Sequence, residues 1–146
     1  MDLKDLYRDV ILDHNRHPRH RRAIAGCRKG EGHNPLCGDR LTVYVRLQDG
    51  IIAEASFQGF GCAIATASAS LMAESVAGRT IAEAEAIFER VVATIQAPAS
   101  APIDDLGPLS ALAGVRKFPA RAKCATLPWQ ALLAAVRSDD RSVSTE

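Results

Sequence analysis

The stretch Leu41-Thr42-Val43-Tyr44-Val45-Arg46-Leu47 constrains this chain more than any other, because every second residue is apolar. A period of two marks a strand with one buried face and one wet face. Gln48-Asp49-Gly50 follows, and Asp-Gly is a dipeptide that accepts the positive φ values of a two-residue hairpin turn. Ile51, Ala53, Ala55 and Phe57 then alternate on a returning strand. Gly59-Phe60-Gly61 either bends the chain or begins a third, edge strand. An antiparallel pair brings the residues before its first strand beside those after its second. Cys37 and Cys62 hold those two places, so the hairpin puts both thiols at one end of a sheet.

The local settings of these thiols point to a site. Asn34-Pro35-Leu36-Cys37-Gly38-Asp39 holds a thiol and a carboxylate two residues apart, with a glycine between them. Pro35 restrains its own φ and pushes Asn34 toward extended backbone, while Gly38 permits a turn. Gly59-Phe60-Gly61-Cys62 is glycine-flanked and Arg121-Ala122-Lys123-Cys124 is cation-flanked. Cys37, Asp39, Cys62 and Cys124 are therefore expected to converge. Cys27 has no acid or turn residue in a ligand-like pattern and is left outside. His33 reads as a supporting group behind the ligands or as an exposed loop histidine.

Composition sets the chemistry such a cluster can serve. The net charge of +1 suggests neither nucleic acid nor membrane as a partner. No apolar run approaches the length of a membrane span, and Met1-Asp2-Leu3-Lys4-Asp5 lacks a signal-peptide core. A cytoplasmic, reducing setting is the resulting expectation. There, four cysteines read as metal or thiol chemistry rather than disulfides, or else as small buried hydrophobes. The 146 residues are expected to form one domain, 1–146, with a polar tail from about residue 138 to residue 146.

The remaining segments read mostly as helices. Leu3, Leu6, Tyr7, Val10 and Ile11 make an apolar stripe on a helix over 2–14, with Asp2 as its N-cap. The His/Arg-rich stretch 14–22, broken by Pro18, reads as a solvated basic connector that touches a partner. Residues 23–40 read as loop because of Gly26, Gly30, Gly32, Pro35 and Gly38. Ala63 to Ala77 forms a helix of small residues, with Cys62 at its N-terminus, where free N–H groups favour an anion. Gly78 ends that helix, and Thr80-Ile81-Ala82-Glu83 is a capping box for the next, whose stripe is Ile81, Ala84, Phe88, Val91, Val92 and Ile95. Ala97 to Pro102 links to a short helix over 105–112. A last helix carries Leu127, Leu132, Leu133 and Val136, with Pro128 in its first turn.

Three thiolates and one carboxylate suit tetrahedral Zn²⁺, or one iron face of an iron–sulfur cluster. Spacings of 25 and 62 residues between the cysteines match no zinc finger, which uses local Cys-x-x-Cys pairs. Four anionic ligands would leave a divalent ion's site net negative. Arg40, Arg121 and Lys123 stand beside ligands and can offset that charge, or they are ordinary solvated cations.

Asn34-Pro35-Leu36-Cys37-Gly38-Asp39, Gly59-Phe60-Gly61-Cys62-Ala63-Ile64 and Arg121-Ala122-Lys123-Cys124-Ala125-Thr126-Leu127 together resemble the U-type iron–sulfur assembly proteins: IscU, the N-terminal domain of NifU, and SufU. The resemblance runs from the Leu6-Tyr7 helix to the Trp129 helix. It implies an α+β fold, with a small antiparallel three-stranded sheet, helices packed on one face, and the metal site at one end. Two features resemble the SufU branch: a stretch between Cys62 and Cys124 longer by roughly twenty residues, a size that surface connections tolerate, and Lys123 where IscU has histidine. Lys117-Phe118-Pro119-Ala120-Arg121 stands near the place of the IscU Leu-Pro-Pro-Val-Lys motif.

That resemblance implies a zinc-dependent sulfur acceptor, a sulfurtransferase-like persulfide carrier with Cys37 as its reactive thiol. Its partners would be a PLP-dependent, SufS-like cysteine desulfurase and a downstream iron–sulfur assembly scaffold. Two other readings stay open: a scaffold on which a [2Fe–2S] cluster or iron is held by the same residues, and a structural zinc-binding interaction domain.

Overall fold

The computed structural model describes residues 3–24, 27–35, 38–103, 105–137 and 141–144. The element order is α1 (Leu3–Arg16), β1 (Arg28–Asn34), β2 (Asp39–Gln48), β3 (Ile51–Phe60), α2 (Ala63–Val76), α3 (Ile81–Gln96), a 3-10 helix (Gly107–Lys117), α4 (Pro119–Arg137) and β4 (Arg141–Ser144). The sheet order is β3-β2-β1-β4. The first three strands pair antiparallel, as expected, while β4 pairs parallel with β1. The Asp2 cap lies outside the described residues.

The hairpin forms where the alternation places it. Leu41, Val43 and Val45 are buried against the helices, and Asp49 and Gly50 turn the chain at φ 54° and 77°. On β3 the buried set is Ile52, Ala55 and Phe57, rather than a series starting at Ile51, which is 41% exposed. The cause is a bulge: Arg46 pairs with Glu54, but Leu47 pairs with Ile52. One extra residue on β3 reverses which side chains face inward.

The third strand is β1, inside the stretch read as loop. Its glycines serve packing rather than turning. A Cβ at Gly30 would collide with the Ala131 carbonyl oxygen, and one at Gly32 would lie 2.9 Å from Leu127 Cδ1. Glycine here lets α4 lie directly on the sheet. The polar tail also contributes to the sheet, since Arg141–Ser144 adds β4.

The helices follow their signals with two shifts. Thr80 and Glu83 form the reciprocal capping box of α3, and Gly78 follows the α2 cap at φ 82°. The short helix is the 3-10 helix, extending to Lys117. Pro128 lies in the middle of α4, not its first turn, and Pro119 holds the first position instead. Pro128 has no N–H to give the carbonyl four residues back, that of Cys124, and its ring crowds that turn. Packing outweighs this cost: Trp129 is fully buried and its Nε1–H donates to Ser68 Oγ at 3.1 Å. The Ser68 hydroxyl in turn donates to the Ala125 carbonyl at 2.6 Å, tying α2 to α4.

The basic stretch 14–22 is not simply a solvated connector. His14 lies in the last turn of α1, is 4% exposed, and its Nδ1 sits 2.7 Å from Ser70 Oγ on α2. The same hydroxyl accepts the Arg19 backbone N–H at 2.8 Å, and the His20 carbonyl accepts the Phe57 N–H. Burial pushes the His14 imidazole below its ordinary value and the Arg19 charge adds to this, against smaller opposing pulls from Glu74 and Asp13. A depressed histidine leaves stability whole above the unfolded value of about 6.5 and removes it as pH falls toward the folded value. The melting temperature should therefore drop as pH is lowered from about 6.5, and more shallowly in His14→Asn. Parallel thermal scans across that range check it, and identical slopes would refute the assignment.

Candidate metal centre

Three separated segments meet at the β2 start, the β3 exit and the first half of α4. Among the described residues, one ligand atom each from Asp39, Cys62 and Cys124 lies within 4.8 Å of the others. Asp39 opens β2 on its buried side and is 3% exposed. It is paired across the tight β1–β2 connection with Asn34, whose carbonyl accepts the Gly38 N–H at 2.9 Å while Gly38 adopts φ 77°. Cys62 caps α2 in extended backbone, and its sulfur accepts the Ala65 N–H at 3.5 Å. Cys124 is 1% exposed, and its S–H donates to the Ala120 carbonyl at 3.6 Å.

The strand pairing explains the convergence. Arg40 pairs with Phe60, so Cys62 emerges beside Asp39 and donates its backbone N–H to Asp39 Oδ1 at 2.8 Å. The approach requires Gly59, which sits at φ 129° with its α-carbon against the Arg40 carbonyl, where any Cβ would collide. Asp39 Oδ2 is buried and has no hydrogen-bond partner among the described residues. A buried carboxylate oxygen without a donor is costly unless a cation completes it. Two sulfurs and that oxygen form a donor set that fits a borderline-soft divalent metal.

Only one of the three flanking cations joins the cluster. The Arg121 guanidinium lies in the field of the Cys62 and Cys124 sulfurs, whose negative charge raises its pKa above the ordinary arginine value. Arg121 and Cys124 are three apart on α4 and share a face. Lys123 falls on a different face and lines a hollow with Ile95 and Gln96 of α3. Arg40 alternates with Asp39 along β2 and is exposed on the opposite side of the sheet. Cys37 lies outside the described residues. Cys27 is apart from the cluster, its S–H donating to the Ile24 carbonyl at 3.0 Å, and His33 is a half-buried β1 residue opposite Arg40.

Tyr7 is a neighbour that sequence reasoning placed only in the α1 stripe. Burial raises the pKa of its phenol, the Arg121 charge opposes that, and Cys62 adds to it. The α1 stripe thus reaches the electrostatic field of the centre. The only hint in the sequence is that an amphipathic residue stands on an otherwise aliphatic stripe.

Comparison with known proteins places this arrangement. A family model described as the NifU-like N terminal domain matches residues 6–125. The chain is 39% identical to the zinc-dependent sulfurtransferase SufU of Bacillus subtilis, across 95% of each chain. It is 37% identical to the iron–sulfur cluster assembly scaffold protein IscU of Streptococcus pyogenes, over 92% of this chain and 85% of that one. Among solved structures, a candidate iron–sulfur cluster assembly scaffold for the SUF system from Fervidobacterium islandicum superposes with a TM-score of 0.81. That match has 30% identity and covers 91% of this chain and 98% of that one.

Proposed function

This chain belongs to the NifU-like N-terminal family, and from that premise we propose that it is a SufU-type sulfur acceptor in iron–sulfur cluster assembly. The observation that carries the reading is the buried Asp39 Oδ2 beside the two thiols, which has no hydrogen-bond partner among the described residues. Zn²⁺ is the metal that this oxygen and sulfur set suits, and Cys37, two residues before Asp39, supplies the fourth ligand. When bound, zinc would hold the thiols together as thiolates and restrain their reactivity.

The sulfur comes from a persulfide on a PLP-dependent cysteine desulfurase of the SufS type and goes on to an iron–sulfur assembly scaffold. The Cys37 thiolate attacks the outer sulfur of the donor persulfide. A new S–S bond forms on Cys37, the donor's S–S bond breaks, and the donor cysteine leaves as a thiolate, with no net redox change. Arg121, which feels the charge of the other two sulfurs, balances negative charge as sulfur is taken up. Lys123 and Arg40 contribute only long-range positive potential, given where they stand.

Metal analysis of the protein purified without oxygen tests the reading. One zinc per chain and no visible absorption are expected. Iron with acid-labile sulfide and charge-transfer bands would instead make it a cluster scaffold.

A further inference from the structure

We propose that the groove between α1 and the 3-10 helix is a docking site for an acidic, apolar segment of a partner protein. The groove has a volume of about 530 Å³ and is floored by the Tyr7 ring, Ala113 and Gly114. Phe118, 51% exposed, forms one apolar wall. Its rim carries Lys4, Arg8, Arg116 and Lys117, and among the described residues no carboxylate lines it. A chain with a net charge of only +1 thus gathers four cations around one apolar hollow.

Most of that charge is uncompensated. Arg8 is paired with Asp5 and Asp9 at 3.3 and 3.2 Å. Arg116 donates to the Thr94 and Ala101 carbonyls, which orient it without cancelling its charge. Lys4 and Lys117 make no ion pair among the described residues. An apolar floor with a cationic rim favours an occupant carrying apolar side chains between carboxylates. A lone inorganic anion fits poorly, because the cations stand around the rim while the centre offers carbon.

The groove adjoins the metal centre. The Phe118 carbonyl accepts the Arg121 and Ala122 N–H groups at 2.8 and 3.0 Å, so its wall and the Arg121 turn are one piece. A segment docked there would hold its owner beside the thiols. The docking proposal itself stands on groove shape and charge, independently of which metal or chemistry the centre carries.

Fluorescence anisotropy on the full chain tests it, with a labelled short peptide alternating glutamate and leucine, and a control peptide with glutamine for glutamate. The acidic peptide should bind and the control should not. The double variant Lys4→Glu/Lys117→Glu should weaken binding by about tenfold or more, and high salt should do the same. Ala99→Trp, at an exposed position lining the groove, should block binding by bulk without changing charge. Absence of peptide binding, or binding that neither variant alters, overturns the proposal. So does capture of anionic phospholipid vesicles in place of the peptide, since the occupant would then be a membrane surface.

Discussion

Stripping the metal lowers the melting temperature by about 10 °C. A ligand present at a thousand times its dissociation constant stabilises the folded state by about 4 kcal/mol. For a chain of this size each kcal/mol moves the midpoint by about 2–4 °C. The site gives a local reason for an effect of this size. Asp39 and Cys124 are 3% and 1% exposed, and with Cys62 they crowd three ligand atoms within 4.8 Å. Without a cation, the Asp39 Oδ2 atom stays buried and without a partner among the described residues, which is a desolvation cost. The three segments would then lack a cation to join the β2 start, the α2 cap and α4. Thermal scans with and without chelator, repeated on Asp39→Ala, measure it. The chelator shift should be large in the wild type and small in the variant, and a wild-type curve that chelation leaves in place would defeat the claim.

How far these features were legible in the sequence differs from element to element. The hairpin follows from period-two alternation and an Asp-Gly turn, which are local and strong signals. From sequence, it implies the meeting of Cys37 with Cys62. Of that pairing the structure describes the Asp39–Cys62 contact, Cys37 lying outside the described residues. The bulge at Leu47 was not legible, because Ile51 and Ile52 are equally apolar and only pairing decides which one turns inward. From sequence, β1 reads as loop because Gly30 and Gly32 are usual turn residues. Their purpose, admitting α4 against the sheet, depends on a helix a hundred residues later. His14 looked like part of a basic surface run, but its burial is set by Ser70 on α2. Of the three flanking cations, sequence adjacency could not choose Arg121. Helical phase does so once α4 begins at Pro119, since residues 121 and 124 then share a face and 123 does not. Pro128 reads as a first-turn residue because a missing N–H costs least there, but the helix starts nine residues earlier, at Pro119.

Cys37→Ser abolishes transfer of sulfur from the desulfurase, to below about 1% of the wild-type rate, because a serine hydroxyl is scarcely ionised near neutral pH and cannot hold a persulfide. The assignment follows from how the other thiols are anchored. Cys62 is the cap of α2, bonded through sulfur to the Ala65 N–H, and Cys124 is buried inside α4. Moving either toward a donor would uncap or unwind a helix packed in the core. Cys37 instead sits between Pro35 and Gly38, both exposed, and the Gly38 α-carbon faces open space. Neither of those flanking residues belongs to a helix. Cys27→Ser should transfer at the wild-type rate, since its thiol is bonded to the Ile24 carbonyl away from the cluster. The measurement is accumulation of label on the chain from radiolabelled cysteine with a SufS-type desulfurase, read without reductant. Metal content is determined on the same samples, so that lost zinc is told apart from a lost acceptor. If Cys37→Ser retains its zinc and still gains label at the wild-type rate, another cysteine is the acceptor and the proposed transfer step is wrong.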